Sequence, residues 1–214
     1  MLAEFTPVTD EALEILRDAS LFKWYTVTLL LLVMYVYANE IEKRNWSVII
    51  AGLAFWLMDW LNEIGNSIFM HVTGRAPLWA TTGDTSYQIF VGLTIEISMM
   101  FLIMGVVYVK MLPPDRRLRI FGIPNRWVFV VSFSFLAVFI EYLLSYTGSF
   151  HWQWWFWGRS FPVFIVLFGY ATFFIVGTWV FDMDDRKKQW AVVGVLASIV
   201  LVAVMVFGPL VGWL

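Results

Sequence analysis

The sequence predicts an all-α, polytopic membrane protein, a bundle of six transmembrane helices preceded by a short surface helix. Three observations predict it. Of 214 residues, 61% are hydrophobic and only 14% are charged, whereas a soluble domain carries nearer a quarter charged residues. The charges fall in short clusters between six long apolar runs. Each run is close to the roughly 20 residues a helix needs to cross the hydrocarbon core. Residues 1–20 are expected as an N-terminal interfacial amphipathic segment, and residues 21–214 as one six-helix transmembrane domain.

Pro7, Thr9, Asp10 and Glu11 read as a helix start with acids in its first turn. Leu13 and Leu16, with Ala12, give that helix a weak apolar face, so it is expected to lie on the membrane surface. The segment lacks the basic start and leading apolar core of a cleaved signal peptide. The six spans are then read at about 21–38, 46–71, 87–110, 127–146, 161–181 and 190–214. Polar connections separate them, including NEIEKRN at 39–45, the basic loop at 113–126, the Trp-dense loop at 148–160 and DMDDRKK at 182–188.

Basic residues set the expected orientation. Lys43, Arg44, Lys110, Arg116, Arg117, Arg119, Arg126, Arg186, Lys187 and Lys188 fall on one side, against Arg17, Lys23, Arg75 and Arg159 on the other. The richer side is expected in the cytoplasm, which puts both termini on the non-cytoplasmic side. The expected location is the bacterial inner (plasma) membrane, as a multi-pass protein.

The second span carries the most informative stretch. Asp59, Asn62, Glu63 and Asn66 fall within an arc of roughly 100° on one helix face, flanked by Trp56 and Trp60. Glu96 lies in the third predicted span and Glu141 in the fourth. By rise per residue, Asp59 and Glu96 are expected near mid-membrane, with Glu63 and Glu141 slightly further out. Apart from Lys110 at the very end of the third, no Lys or Arg lies within these spans to neutralise them. Ionisable groups inside a membrane mark a functional site by default. The plain alternative is hydrogen bonding between helices, with Asn62 and Asn66 as partners.

Asp59, Glu63, Glu96 and Glu141 are therefore the candidate catalytic residues. A buried carboxylic acid can donate a proton and a neighbouring carboxylate can take one away. Trp56, Trp60 and Tyr142 are candidate walls for a developing cation. Asn62 and Asn66 are candidate polar contacts, and Arg75 and Arg159 candidate holders of an anionic head group. Trp152, Trp154, Trp155 and Trp157 suit an interfacial belt. His71 and His151 read as bystanders, because no close ligand spacing makes a metal site of them.

The predicted function is that of an integral membrane enzyme using buried carboxylates for acid–base chemistry on a lipophilic, isoprenoid- or lipid-like substrate, such as cyclisation or isomerisation. In layout the chain is similar to the small integral-membrane terpene cyclases, which use acids within their helices; no residue role is carried over from them. The other readings are a proton or cation transporter or channel subunit, and a non-catalytic subunit of a membrane complex. No cofactor or metal is expected. The expected partners are the lipophilic substrate, membrane lipids and a second copy of the chain in a homo-oligomer. A net charge of −2 argues against a nucleic acid. With no cysteine, thiolate chemistry is excluded. The chain has no P-loop, dinucleotide fingerprint, GxSxG or HExxH, and DMDD is not spaced like a diphosphate–magnesium motif.

Overall fold

A computed structural model describes residues 5–214; residues 1–4 of the expected surface segment lie outside it. The described chain is mostly helical. Helix α1 spans Pro7–Glu14, with Thr6 capping its first turn through Thr9 N–H. Helices α2 (Tyr25–Glu42) and α3 (Trp46–Thr73) follow. Two strands, β1 (Trp79–Thr81) and β2 (Gln88–Phe90), precede β3 (Leu93–Thr94) and α4 (Ile95–Met111). A small hairpin, β4 (Arg119–Ile120) and β5 (Ile123–Pro124), leads into α5 (Asn125–Thr147). Strand β6 (Phe150–Trp152) is followed by a π-helical stretch, Ile165–Tyr170, that runs into α6 (Ala171–Phe181). Helix α7 (Arg186–Met205) ends in a second π-helical stretch, Val206–Leu210.

Among the described residues, three helices are long and apolar enough to cross a membrane: Trp46–Thr73, Asn125–Thr147 and Arg186–Leu210. The first, at 28 residues, is about 42 Å long at 1.5 Å per residue, more than the roughly 30 Å hydrocarbon core. Their outward surfaces are apolar. On α5, Phe135, Phe139, Leu143 and Tyr146 are each more than half exposed. An apolar stripe of that size suits lipid and not water.

Helix α3 is the centre of the bundle, packed against α4, α6 and α7. Its contact with α4 is close because Gly105 has no side chain: a Cβ there would sit 2.9 Å from both the Gly52 carbonyl oxygen and Phe55 Cβ. At the end holding the α3 N-terminus, the helices are tied by ion pairs. Lys110 meets Glu40, and Arg126 grips Asp182 with two nitrogens at 2.8 and 2.9 Å. At the opposite end the connections fold into strands. β1 pairs antiparallel with β6 in the register Trp79↔Trp152, Ala80↔His151 and Thr81↔Phe150. This pairing closes one end of the space between α3 and α5.

The third predicted span is corrected. Residues 87–94 are not helical: they form the β2–β3 hairpin, and the helix begins at Ile95, where Thr94 Oγ1 accepts the Ile97 N–H. The expected helix at 161–181 is helical from Val163 onward, with the π stretch Ile165–Tyr170 inside it before α6. The expectation of helix alone missed the strand pairs that cap the bundle.

Candidate acid–base site

Asp59 and Glu63 lie one turn apart on α3 and share a face, so one rigid element aims both inward. Glu141 reaches the same space from α5. All three line one cavity of about 90 Å³. Asp59 is 2% exposed and Glu63 4%. No Lys or Arg lines the cavity.

Glu63 and Glu141 are only part-satisfied, and Asp59 accepts no side-chain hydrogen bond among the described residues. Trp79 Nε1–H donates to Glu63 Oε1 at 2.9 Å, and Tyr170 O–H donates to Glu141 Oε1 at 2.8 Å. Asp59 Oδ2, Glu63 Oε2 and Glu141 Oε2 are buried without a hydrogen-bond partner. Three unsatisfied carboxyl oxygens around one cavity are costly, since each buried orphan forfeits about 1–3 kcal/mol.

The surrounding walls are aromatic and aliphatic. Trp79 and Trp157 stack over the acids with ring centroids 5.6 Å apart at 21°. Phe101 and Phe173 line the cavity at 5.5 Å from one another, edge to face. One turn further along α3, Phe55 packs against Phe174 at 5.0 Å, and Phe174 against Tyr108 at 4.6 Å. These rings fill the bundle below the acids. On one side the wall is thin. Met100 and Met104 of α4 and Ile140 and Leu144 of α5 line the cavity, yet Met100, Ile140 and Leu144 are also exposed on the outer surface. Helix α5 packs on α6 and the π stretch before it, and meets α4 lower down, where Phe133 lies edge to face on Tyr108 at 5.1 Å. The seam between α4 and α5 thus joins the acids to the apolar surface.

Several expected site residues stand elsewhere. Glu96 does not line the cavity; it sits in the first turn of α4, where the helix dipole favours an acid. Both its oxygens are engaged, by Tyr25 O–H at 2.6 Å, Ser86 N–H at 2.7 Å and Thr85 O–H at 2.7 Å. Trp56 and Trp60 face away from the cavity and share Ser98 Oγ as acceptor, at 2.8 and 3.2 Å. Tyr142 lies on the outer surface, bonded to Tyr146. Arg75 is exposed, and Arg159 is tied to Ser145 outside the acid cavity. Asn62 does line the cavity. Asn66 instead clamps the following loop, accepting from Leu78 N–H at 2.8 Å and donating to the Trp79 carbonyl at 2.8 Å. His71 stacks on Trp213, and His151 Nε2 lies 2.9 Å from the Gly148 carbonyl oxygen. Neither meets the acids.

The site also uses residues that sequence reasoning passed over. Trp157, expected in an interfacial belt, is buried in the roof, while Trp155 is 78% exposed. Tyr170 and Gly92 were not singled out. For Tyr170 a signal existed: a hydroxyl amid an apolar run needs a buried partner, and the sequence offers few besides the acids. Gly92 is where the β2–β3 turn passes the site; a Cβ there would meet Trp79 Nε1 at 2.4 Å and Glu63 Oε2 at 2.6 Å.

Over residues 6–209 the chain matches a family described as "Uncharacterized membrane protein family". A protein of Archaeoglobus fulgidus, described as "Uncharacterized protein", is 47% identical over 209 residues, covering 98% of this chain and 99% of the relative. A second A. fulgidus protein with the same description is 36% identical over 53 residues, covering 25% of this chain and 95% of that relative. No solved structure matches the chain.

Proposed function

The chain belongs to that membrane protein family, and on this premise we propose that it is a membrane-embedded enzyme performing acid–base chemistry on a lipophilic substrate. One observation carries the reading: Asp59, Glu63 and Glu141 line a single aromatic-walled cavity, each with an unpartnered oxygen, beside a seam open to the apolar surface. A substrate dissolved in the bilayer would enter between α4 and α5 without crossing water.

Isomerisation or cyclisation of an alkene-containing, isoprenoid-like molecule fits these parts. One carboxyl adds a proton to a carbon–carbon double bond. The resulting cation rearranges against the rings of Trp79, Trp157, Phe101 and Phe173, whose faces are electron-rich. A second carboxyl then removes a proton from a neighbouring carbon, and return of that proton to the donor carboxyl closes the cycle, so no atom or electron is gained or lost overall. We assign the base role to Glu63 and Glu141, which Trp79 and Tyr170 hold as hydrogen-bond acceptors. Asp59 receives no such bond and takes the donor role. Glu96 has no part in it.

The same reading gives the chain six spans, the fourth predicted one being α5. The basic connections would face the cytoplasm, both termini would face outward, and the plasma membrane is the proposed location. The relatives are archaeal, so they lend no support to a bacterial source. A proton or cation path is the second reading, favoured by the uncompensated acids. Against it, Phe55, Phe174 and Tyr108 pack the bundle beyond them.

Mass spectrometry of small molecules co-purified with the wild-type protein and with Glu63→Gln/Glu141→Gln tests the proposal. A polyene, sterol or prenyl lipid retained by one sample and not the other supports it. Bulk phospholipid alone in both, together with acid-dependent cation flux in liposomes, would sink it.

A further inference from the structure

We propose that a second cavity, beside Arg159, holds the anionic head, a phosphate or carboxylate, of an amphipathic substrate whose apolar part reaches the acid cavity. The inference rests on the acid–base reading above and narrows its substrate class.

This outer cavity, of about 320 Å³, lies between the C-terminal end of α5 and the Trp-rich loop after β6. It shares a wall with the acid cavity. Phe150 lines both; Leu144 faces the inner one and Ser145 the outer; Trp157 faces the inner one and Gly158 the outer. A single layer of residues separates the two spaces.

The outer cavity is built for an anion. Arg159 lines it and no carboxylate does. The guanidinium is held in place: Nε donates to Ser145 Oγ at 3.0 Å and Nη2 to the Ser145 carbonyl at 2.5 Å, and it lies 4.3 Å from the Tyr146 ring centroid. These partners are all neutral, and Arg159 forms no ion pair among the described residues. Ser145 occupies the Nε–Nη2 edge, so the exposed guanidinium keeps its Nη1 end, bonded to no described residue, for an oxyanion. A second donor stands in the same lining. Gln153 Oε1 accepts from Thr9 at 3.1 Å and from Thr6, which leaves Gln153 Nε2 buried with no partner. An oxyanion would satisfy it.

The two cavities sort the ends of a molecule. Glu63 and Glu141, the proposed bases, disfavour an anion in the inner space, and Arg159 attracts it to the outer one. An amphipathic molecule of this kind would be held one way round, with its head beside Arg159 and only its first isoprene unit in the inner space of about 90 Å³.

The test uses the full chain in detergent and two probes with the same polyprenyl chain, one a monophosphate and one the neutral alcohol. Binding is read by native mass spectrometry. Wild type is expected to prefer the phosphate by about tenfold, the worth of one charge-assisted pair. Arg159→Gln should bring the ratio to near one, and Arg159→Lys should restore part of it. Glu63→Gln/Glu141→Gln should keep the preference, because the ratio reports on the outer cavity and alcohol binding on the inner one. Failure of wild type to bind the alcohol, with phosphate binding kept, would therefore count against the acid site and not against the head site. Equal binding of both probes by wild type, or an unchanged ratio in Arg159→Gln, overturns the proposal. Inorganic phosphate bound as tightly as the tailed probe would also overturn it, as a free-anion site.

Discussion

The indole N–H of Trp79 reaches across the top of the acid cavity to Glu63 Oε1, at 2.9 Å, with Gly92 packed beneath the pair. This contact joins the loop after α3 back to α3 itself. It fixes one oxygen of Glu63 and leaves the other facing the cavity. A methyl group at position 92 would collide with both partners, at 2.4 and 2.6 Å, and the indole is itself stacked on Trp157. Gly92→Ala should therefore cost about 1–3 kcal/mol, as overpacking does in a tight core. The expected readout is a lower melting temperature in detergent together with weaker ligand retention. A variant as stable as wild type would mean that the loop shifts freely over Glu63.

The two glutamates are expected to differ from their neighbours in kind. Glu63→Gln and Glu141→Gln keep the shape of the cavity but cannot carry or accept a proton in turnover. Each should lower the rate by about 10²–10⁴-fold, the usual worth of a general acid or base, with the helical circular-dichroism signal unchanged. Tyr170→Phe removes only the hydroxyl that donates to Glu141, so a loss of about tenfold is expected. Glu96→Gln is the control: its carboxylate caps the α4 end away from the cavity, and turnover should survive while stability falls. Turnover lost in Glu96→Gln with the melting temperature unchanged would move the chemistry out of the cavity.

Asn66 was expected beside the acids and does a different task. Its side-chain amide holds both Leu78 N–H and the Trp79 carbonyl, which places Trp79 over Glu63. Asn66→Ala removes a buried donor and acceptor and should cost about 2 kcal/mol. Protease cleavage in the loop at 74–86 should rise before the helices melt. Faster cleavage elsewhere, with this loop intact, would show that Asn66 does not hold it.

What the sequence made legible follows from which forces are local. Membrane character was readable because apolar runs separated by charge clusters are a one-dimensional signal. So was the convergence of Asp59, Glu63 and Glu141, since unpaired acids in apolar runs must turn inward. Glu96 misled because helix length was read from hydropathy alone. The turn at Gly92 and the Thr94 cap shorten that helix, and so place Glu96 at a helix end, outside the acid cavity. Trp56 and Trp60 misled because flanking a stripe on a helical wheel does not say which neighbour packs there; α3 is surrounded, and both rings turn to Ser98. Trp79, Trp157 and Gly92 enter the site through loop pairing. The β1–β6 register joins residues some 70 positions apart, which no local pattern encodes.

The α4–α5 seam makes a prediction that the absence of cysteine renders clean to test. Ile140 lines the acid cavity and is also 43% exposed on the outer surface, whereas Phe139, 57% exposed, does not line it. In a cysteine-free background, Ile140→Cys and Phe139→Cys should both react with a membrane-soluble maleimide and neither with a charged one, because both lie on the apolar face. Their consequences should differ. A label on Ile140→Cys would fill the route between the acids and the bilayer, so ligand binding should fall by about tenfold or more, while a label on Phe139→Cys should leave it unchanged. Bound ligand should in turn slow labelling of Ile140→Cys alone. If a labelled Ile140→Cys bound ligand as well as the unlabelled protein, the substrate would have to enter by another face, and the outer cavity beside Arg159 would be the remaining route.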